Sequence, residues 1–217
     1  MKTFNILPVL LAALIFALAS SAFADDGKYE AAMKKNIQAV YQAKSMDEYQ
    51  QAVNAFDRIA LAEKTKWEPH YYSAFGCIMM AAQEKDAAKK DAYLDQAVTA
   101  IGKAKAIAAQ ESEVIALEGF AHMIRVTVDP ASRGAQLSPL AMQAFGKASA
   151  LNPENPRALV LSAQMQFGTA QFFGSSTTEA CAVVTRSLEK FNTYKSDNPL
   201  APQWGRSMAE KLKAQCQ

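Results

Sequence analysis

The stretch Ala141-Met-Gln-Ala-Phe145-Gly-Lys-Ala148-Ser-Ala-Leu151-Asn-Pro153-Glu-Asn155-Pro156-Arg-Ala-Leu159 ends one helix, turns tightly and begins the next. Residues 141, 144, 145, 148 and 151 are apolar or small and keep the three-to-four spacing of one helical face. Asn155 then offers a side-chain acceptor to the orphan N–H groups of a new helix, and Pro156 suits its first position. Weaker copies of this arrangement lie on both sides, which predicts an all-α chain of repeated helix pairs.

Working outward, the N-terminus reads as a targeting segment. Lys2, the apolar run Val9 to Leu18 and the small residues of Ala22-Phe-Ala24 make a secretory signal at residues 1–24, cleaved before Asp25. The run falls short of the roughly 20 apolar residues that cross a bilayer. The expected product is periplasmic or secreted, has no membrane insertion, and comprises residues 25–217 as one domain. With Lys2 gone, 22 basic residues face 21 acidic ones. That balance gives no electrostatic case for nucleic acid.

Nine helices are predicted. The first covers 28–44, and Ser45-Met-Asp-Glu48 is a capping box opening the second, which runs to about Lys64. Thr65 to Glu68, with Pro69, starts the third, which ends near Gln83–Lys85. The charged run Glu84–Asp91 is expected as a solvated connection before the fourth. The fifth starts near Ser112 and stops before Asp129-Pro130, because a residue preceding proline is pushed out of the α region. Ser138-Pro139 is expected to start the sixth. The seventh runs from Pro156 to about Phe172 and stops at Gly174, and Ser176-Thr-Thr-Glu179 opens an eighth reaching about Tyr194. Asp197–Pro202 breaks the chain, and a last helix follows from Pro202. Trp67 and Trp204 are expected to cover helix ends.

A repeat links these helices. Ala141, Phe145, Ala148 and Pro153 match Ala97, Ile101, Ala104 and Ala109, then Ala52, Phe56, Ile59 and Lys64, and most weakly Ala180, Val184, Ser187 and Asn192. The leading alanines stand 45, 44 and 39 residues apart. A second pattern places Gly76, Gly119 and Ala163 where a helix must approach its partner closely. Each pair leaves an apolar face uncovered, so pairs must stack.

At these residues, over about 45–195, the chain resembles the tetratricopeptide repeat (TPR) family, and within it the exported TPR-like proteins of Gram-negative envelopes. The spacings exceed the roughly 34 residues usual for that family. Lys64 and Ala109 replace its closing proline, and Glu118 sits where it has leucine. The resemblance implies a TPR-like superhelical array with a concave face lined by the first helix of each pair. Carried over by register, that groove takes His70, Ser73, Cys77 and Met80, then Glu113, Ala116, Phe120 and Met123, then Arg157, Val160, Gln164 and Phe167. Either a partner's apolar segment enters it, or the chain's own terminal helix fills it.

Chemistry has no visible carrier. His70 and His122 lack neighbours at metal-ligand spacing, and neither a nucleophile elbow nor a phosphate loop is present. No cofactor, metal or catalytic role is expected. The leading expectation is a non-catalytic scaffold binding a protein or peptide. The alternative is a carrier of a small apolar acid, with Arg125 and Arg133 gripping its carboxylate. The blander reading has Asp129 cap a turn and an arginine pair with it.

Three cysteines remain after the signal. If the last two helices are antiparallel about residue 199, Cys181 lies beside Cys216, since their midpoint is 198.5. Export permits a disulfide there, and Cys77 is left as a small buried thiol.

Overall fold

The computed structural model describes residues 26–216, so the segment read as a signal peptide lies outside the described residues. Nine helices and no strand occur among them: α1 over residues 26–42, α2 Met46–Ala62, α3 Glu68–Gln83, α4 Ala87–Ile107, α5 Ser112–Val126, α6 Pro130–Leu151, α7 Pro156–Phe173, α8 Thr178–Thr193 and α9 Arg206–Lys213. Successive helices pack on one another as pairs, and α3, α5 and α7 also touch side by side. One contiguous core cluster runs from Tyr29 to Leu212. The all-α array of helix pairs expected from the repeat is therefore the architecture found.

The deciding stretch does more than turn. The Asn155 side chain accepts from the backbone N–H groups of Arg157 (2.9 Å) and Ala158 (3.3 Å), capping α7. Its amide donates to Ser112 Oγ, which donates to the carbonyl of Ala148, both at 2.8 Å. One fully buried side chain thus ties the start of α5 to the end of α6 and the start of α7. The Ser45–Glu48 capping box is formed at α2, and α7 ends with Gly174 at φ 65°, a left-handed position that suits glycine.

Three boundaries differ from expectation. The charged run is mostly the first turn of α4, because the Asp86 side chain caps it by accepting from the Lys89 N–H at 2.8 Å. Helix α6 begins at Pro130 behind an Asp129 cap and passes through Pro139. Ser138-Pro139 is therefore no start. The ring removes one N–H, and the packing of Ala141, Ala144 and Phe145 holds the helix through that point. Last, α9 starts at Arg206, leaving residues 194–205 as a long non-helical strap.

Cys181 and Cys216 are bonded, with their Cα atoms 5.6 Å apart, which staples α8 to the end of α9 on either side of the strap. Cys77 is a free, buried thiol, and its burial pushes the pKa up to about 12.

Candidate functional site: the concave face and its strap

The strap crosses the array and is held by side chains from four helices. Trp204 lies between Phe75 of α3 and Phe120 of α5, with ring centroids 5.1 and 5.6 Å away. Its indole N–H donates to the Tyr71 hydroxyl at 3.0 Å. Tyr72 donates to the carbonyl of Leu200 at 2.7 Å, and Asn198 donates its amide to Glu68 at 3.0 Å. Tyr41 of α1 accepts from the Gln203 N–H at 3.2 Å. Aromatic pairs of this kind contribute about 0.5–1.5 kcal/mol each beyond the area they bury. The strap therefore lies against α1, α3, α5 and α7, while α9 packs on α8 and α7.

Beneath the strap is a buried ion pair. Arg157 Nε donates to one oxygen of Glu113 at 2.7 Å and Nη2 to the other at 2.6 Å, with both side chains at 5% exposure or less. The guanidinium stacks on the Tyr194 ring, 4.7 Å from its centroid, and Nη1 reaches the Trp204 carbonyl at 3.4 Å. Burial alone disfavours the charged guanidinium, but the hydrogen bonds and charge of Glu113 outweigh it and raise the Arg157 pKa. Burial, reinforced by the Glu113 charge, likewise keeps Tyr71 protonated far above its ordinary range.

The residues assigned to the groove by register divide into two groups. Glu113, Phe120 and Arg157 meet the strap, while Met123, Val160 and Phe167 are buried and Gln164 is partly exposed. His70, Ser73, Cys77 and Met80 of α3 do not meet it. Ser73 donates to Asp57 of α2 at 2.7 Å, and His70 feels the charges of Asp57 and of Lys103 on α4. The strap is met instead by Glu68, Tyr71, Tyr72 and Phe75. The equivalent glycines show why. A Cβ on Gly119 would meet Phe145 and the Ala141 carbonyl of α6, whereas one on Gly76 would meet Val53 of α2 and Val40 of α1. Helix α3 is turned about its axis relative to α5, so equivalent positions face different neighbours.

Arg133 forms a bidentate pair with Asp91 at 2.7 and 2.8 Å, and Arg125 pairs with Asp95 at 2.6 Å, both carboxylates belonging to α4. Asp129 caps α6 as expected, and the arginines pair with α4 rather than with it. A ligand carboxylate at these arginines would have to displace an aspartate. The two histidines titrate below their ordinary value, through burial and then the Lys103 charge for His70, and through burial with Arg125 and Lys105 nearby for His122. Among the described residues no cluster of His, Cys, Asp and Glu could hold a metal ion, and no helix is long and apolar enough to cross a membrane.

Two clefts flank α1 and share Tyr41 and Gln42. The one between α1 and the strap has a volume of about 380 Å³ and is walled by Ile37, Tyr41, Pro199, Leu200 and Ala201, with Lys34, Gln38, Gln42 and Gln203 among its polar groups. The other, of about 1060 Å³, opens between α1 and α2 and carries more polar residues, Asn36, Gln51, Asn54 and Arg58 among them. The first is the more apolar of the two, a half-open groove with a few polar groups to orient what enters. Tyr72 and Phe75 belong to the repeat pattern around Gly76, which marks helix pairing and not a site, and Tyr41 and Trp204 carry no motif. The one available signal was a proline-bounded segment with a tryptophan, too long for a tight turn.

No protein-family model matches the chain, and no curated protein is significantly similar to it. Among solved structures the chain is similar to the HusA haemophore from Porphyromonas gingivalis, at 26% sequence identity and a TM-score of 0.77. The match covers 87% of this chain and 92% of that one.

Proposed function

We propose that this chain is an exported, non-catalytic binding protein whose ligand is a flat apolar acid of the porphyrin class, held in the cleft between α1 and the strap. The observation that carries the proposal is the likeness to a haemophore along most of both chains. The cleft's composition supports it. Ile37, Leu200 and the Tyr41 ring offer apolar contact, and Lys34 offers a cation for a carboxylate. Lys34 is paired with Glu30 only across an exposed helix face, an arrangement that contributes little and leaves the ammonium free to turn.

The helix pairs read as TPR-like, residues 25–217 as one domain, and the periplasm as its compartment after cleavage at Ala24. The Cys181–Cys216 bond suits that oxidising setting. A peptide partner in the concave face would first have to expel Trp204 from between Phe75 and Phe120, which favours the small-molecule reading.

The test is a titration of the mature protein with protoporphyrin IX, followed by its Soret absorbance. Saturable one-to-one binding is expected. Ile37→Glu should weaken it at least about tenfold, since burying an apolar side chain of this size contributes about 1.5–3 kcal/mol. Absence of saturable binding, or equal binding by the variant, overturns the reading.

A further inference from the structure

Three hydrogen bonds close a circuit that begins and ends on the strap. The Gln203 N–H donates to the Tyr41 hydroxyl at 3.2 Å, Tyr41 donates to Tyr72 at 3.5 Å, and Tyr72 donates to the Leu200 carbonyl at 2.7 Å. The direction is fixed at its strong end. Tyr72 has one proton and spends it on Leu200, so its oxygen can only accept from Tyr41. Each hydroxyl therefore accepts one bond and donates one, the long Tyr41–Tyr72 contact being the weakest of the three.

The circuit's position matters more than its strength. Tyr41 lies on the α1 wall of the 380 Å³ cleft, and Leu200 and Gln203 lie on its strap wall. Tyr72 lines neither wall. It is fully buried on α3, where it stacks on Phe56 of α2 at 5.4 Å. A single buried oxygen thus holds both walls of a cleft it does not enter. Its backing is fixed, because Phe56 is itself fully buried in the core.

We propose that Tyr72 is the positioning residue of the ligand cleft, setting the separation between α1 and the strap through Tyr41 and Leu200. This rests on the cleft being the porphyrin-class site. The side chain acts without touching ligand. Its loss would change no lining residue and would let the strap wall drift from α1. Burial keeps the Tyr72 hydroxyl protonated well above its ordinary titration range, so the donor persists at any physiological pH.

The experiment compares wild type, Tyr72→Phe, Tyr41→Phe and the double variant, using two readouts. The first is amide hydrogen exchange at Gln203, which needs no ligand. The second is the affinity for protoporphyrin IX. Losing a hydrogen bond of ordinary net strength corresponds to about fivefold to tenfold. Tyr72→Phe should speed Gln203 exchange and weaken binding by about that factor, with exchange in α5 and α6 unchanged. Tyr41→Phe should do the same, and the double variant should lose less than the sum of the two, because the Tyr41–Tyr72 bond is common to both. Unchanged Gln203 exchange in Tyr72→Phe, or additive losses in the double variant, overturns the proposal. If wild type binds no porphyrin, the assignment of the cleft fails, and the exchange readout still decides whether the circuit holds the strap.

Discussion

Replacing Glu113 by glutamine removes a negative charge from a site that keeps its positive partner. Arg157 is 1% exposed, and Glu113 accepts two of its N–H groups at 2.6 and 2.7 Å. What remains to the guanidinium is the Tyr194 ring at 4.7 Å, a 3.4 Å contact with the Trp204 carbonyl and one glutamine oxygen. Breaking a buried pair from one side costs about 3–5 kcal/mol. The retained oxygen places Glu113→Gln near the lower end, about 3 kcal/mol. For a chain of this size each kcal/mol moves Tm by about 2–4 °C, so a drop of about 6–12 °C is expected by circular dichroism. Arg157 has its pKa raised in the fold, so its contribution is complete below the ordinary arginine pKa and is lost only in strong alkali. The penalty should therefore be the same at pH 6 and pH 9. Replacing both members, Glu113→Leu with Arg157→Met, should recover stability to within about 1 kcal/mol of wild type, because no unpaired charge is left. A loss below about 1 kcal/mol for Glu113→Gln, or a double variant as unstable as the single one, would show that Arg157 is not left as a buried, unpaired charge.

Other outcomes follow from single features. Gly119→Ala would put a Cβ 2.4 Å from Phe145 Cε1 and 3.1 Å from the Ala141 carbonyl, and should cost about 1–3 kcal/mol in urea denaturation; full stability would mean that α5 and α6 lie further apart than described. Cys216→Ser opens a crosslink spanning 35 residues and should cost about 3–4 kcal/mol, with added reductant lowering wild type to the same level and leaving the variant unmoved. Arg133 hydrogen-bonds Asp91 and so lowers its pKa; that contribution is present above the ordinary aspartate pKa and fades as pH falls through the depressed one. Arg133→Ala should therefore melt below wild type at pH 7, and the two melting curves should converge in strong acid.

Much of the array could be read from local pattern, because caps, stops and amphipathic stripes are set by neighbours in sequence. Asn155 before Pro156, the Ser45–Glu48 box and Gly174 all act where they were read. The Cys181–Cys216 pairing also followed from chain order, since two antiparallel helices fold about a midpoint whatever the length of the turn between them. Pro139 is no start because a missing N–H costs only one bond, and the Asp129 cap ten positions earlier starts α6 more strongly.

What only the tertiary structure decided is which faces meet. Helix α3 is buried continuously from Tyr71 to Ile78, and a helix apolar all round has no stripe to show which side faces the groove. Gly76 and Gly119 look equivalent in sequence, and only packing sends one toward α2 and the other toward α6. The strap is the extreme case. Residues 194–205 have no periodicity, and their partners Tyr41, Glu68, Tyr71 and Tyr72 lie from 128 to 162 positions away. Such contacts need the pairs stacked so that α1, α3, α5 and α7 all reach the strap. The sequence therefore determined the helices and how they pair; the stacked array determined which of their side chains make the cleft.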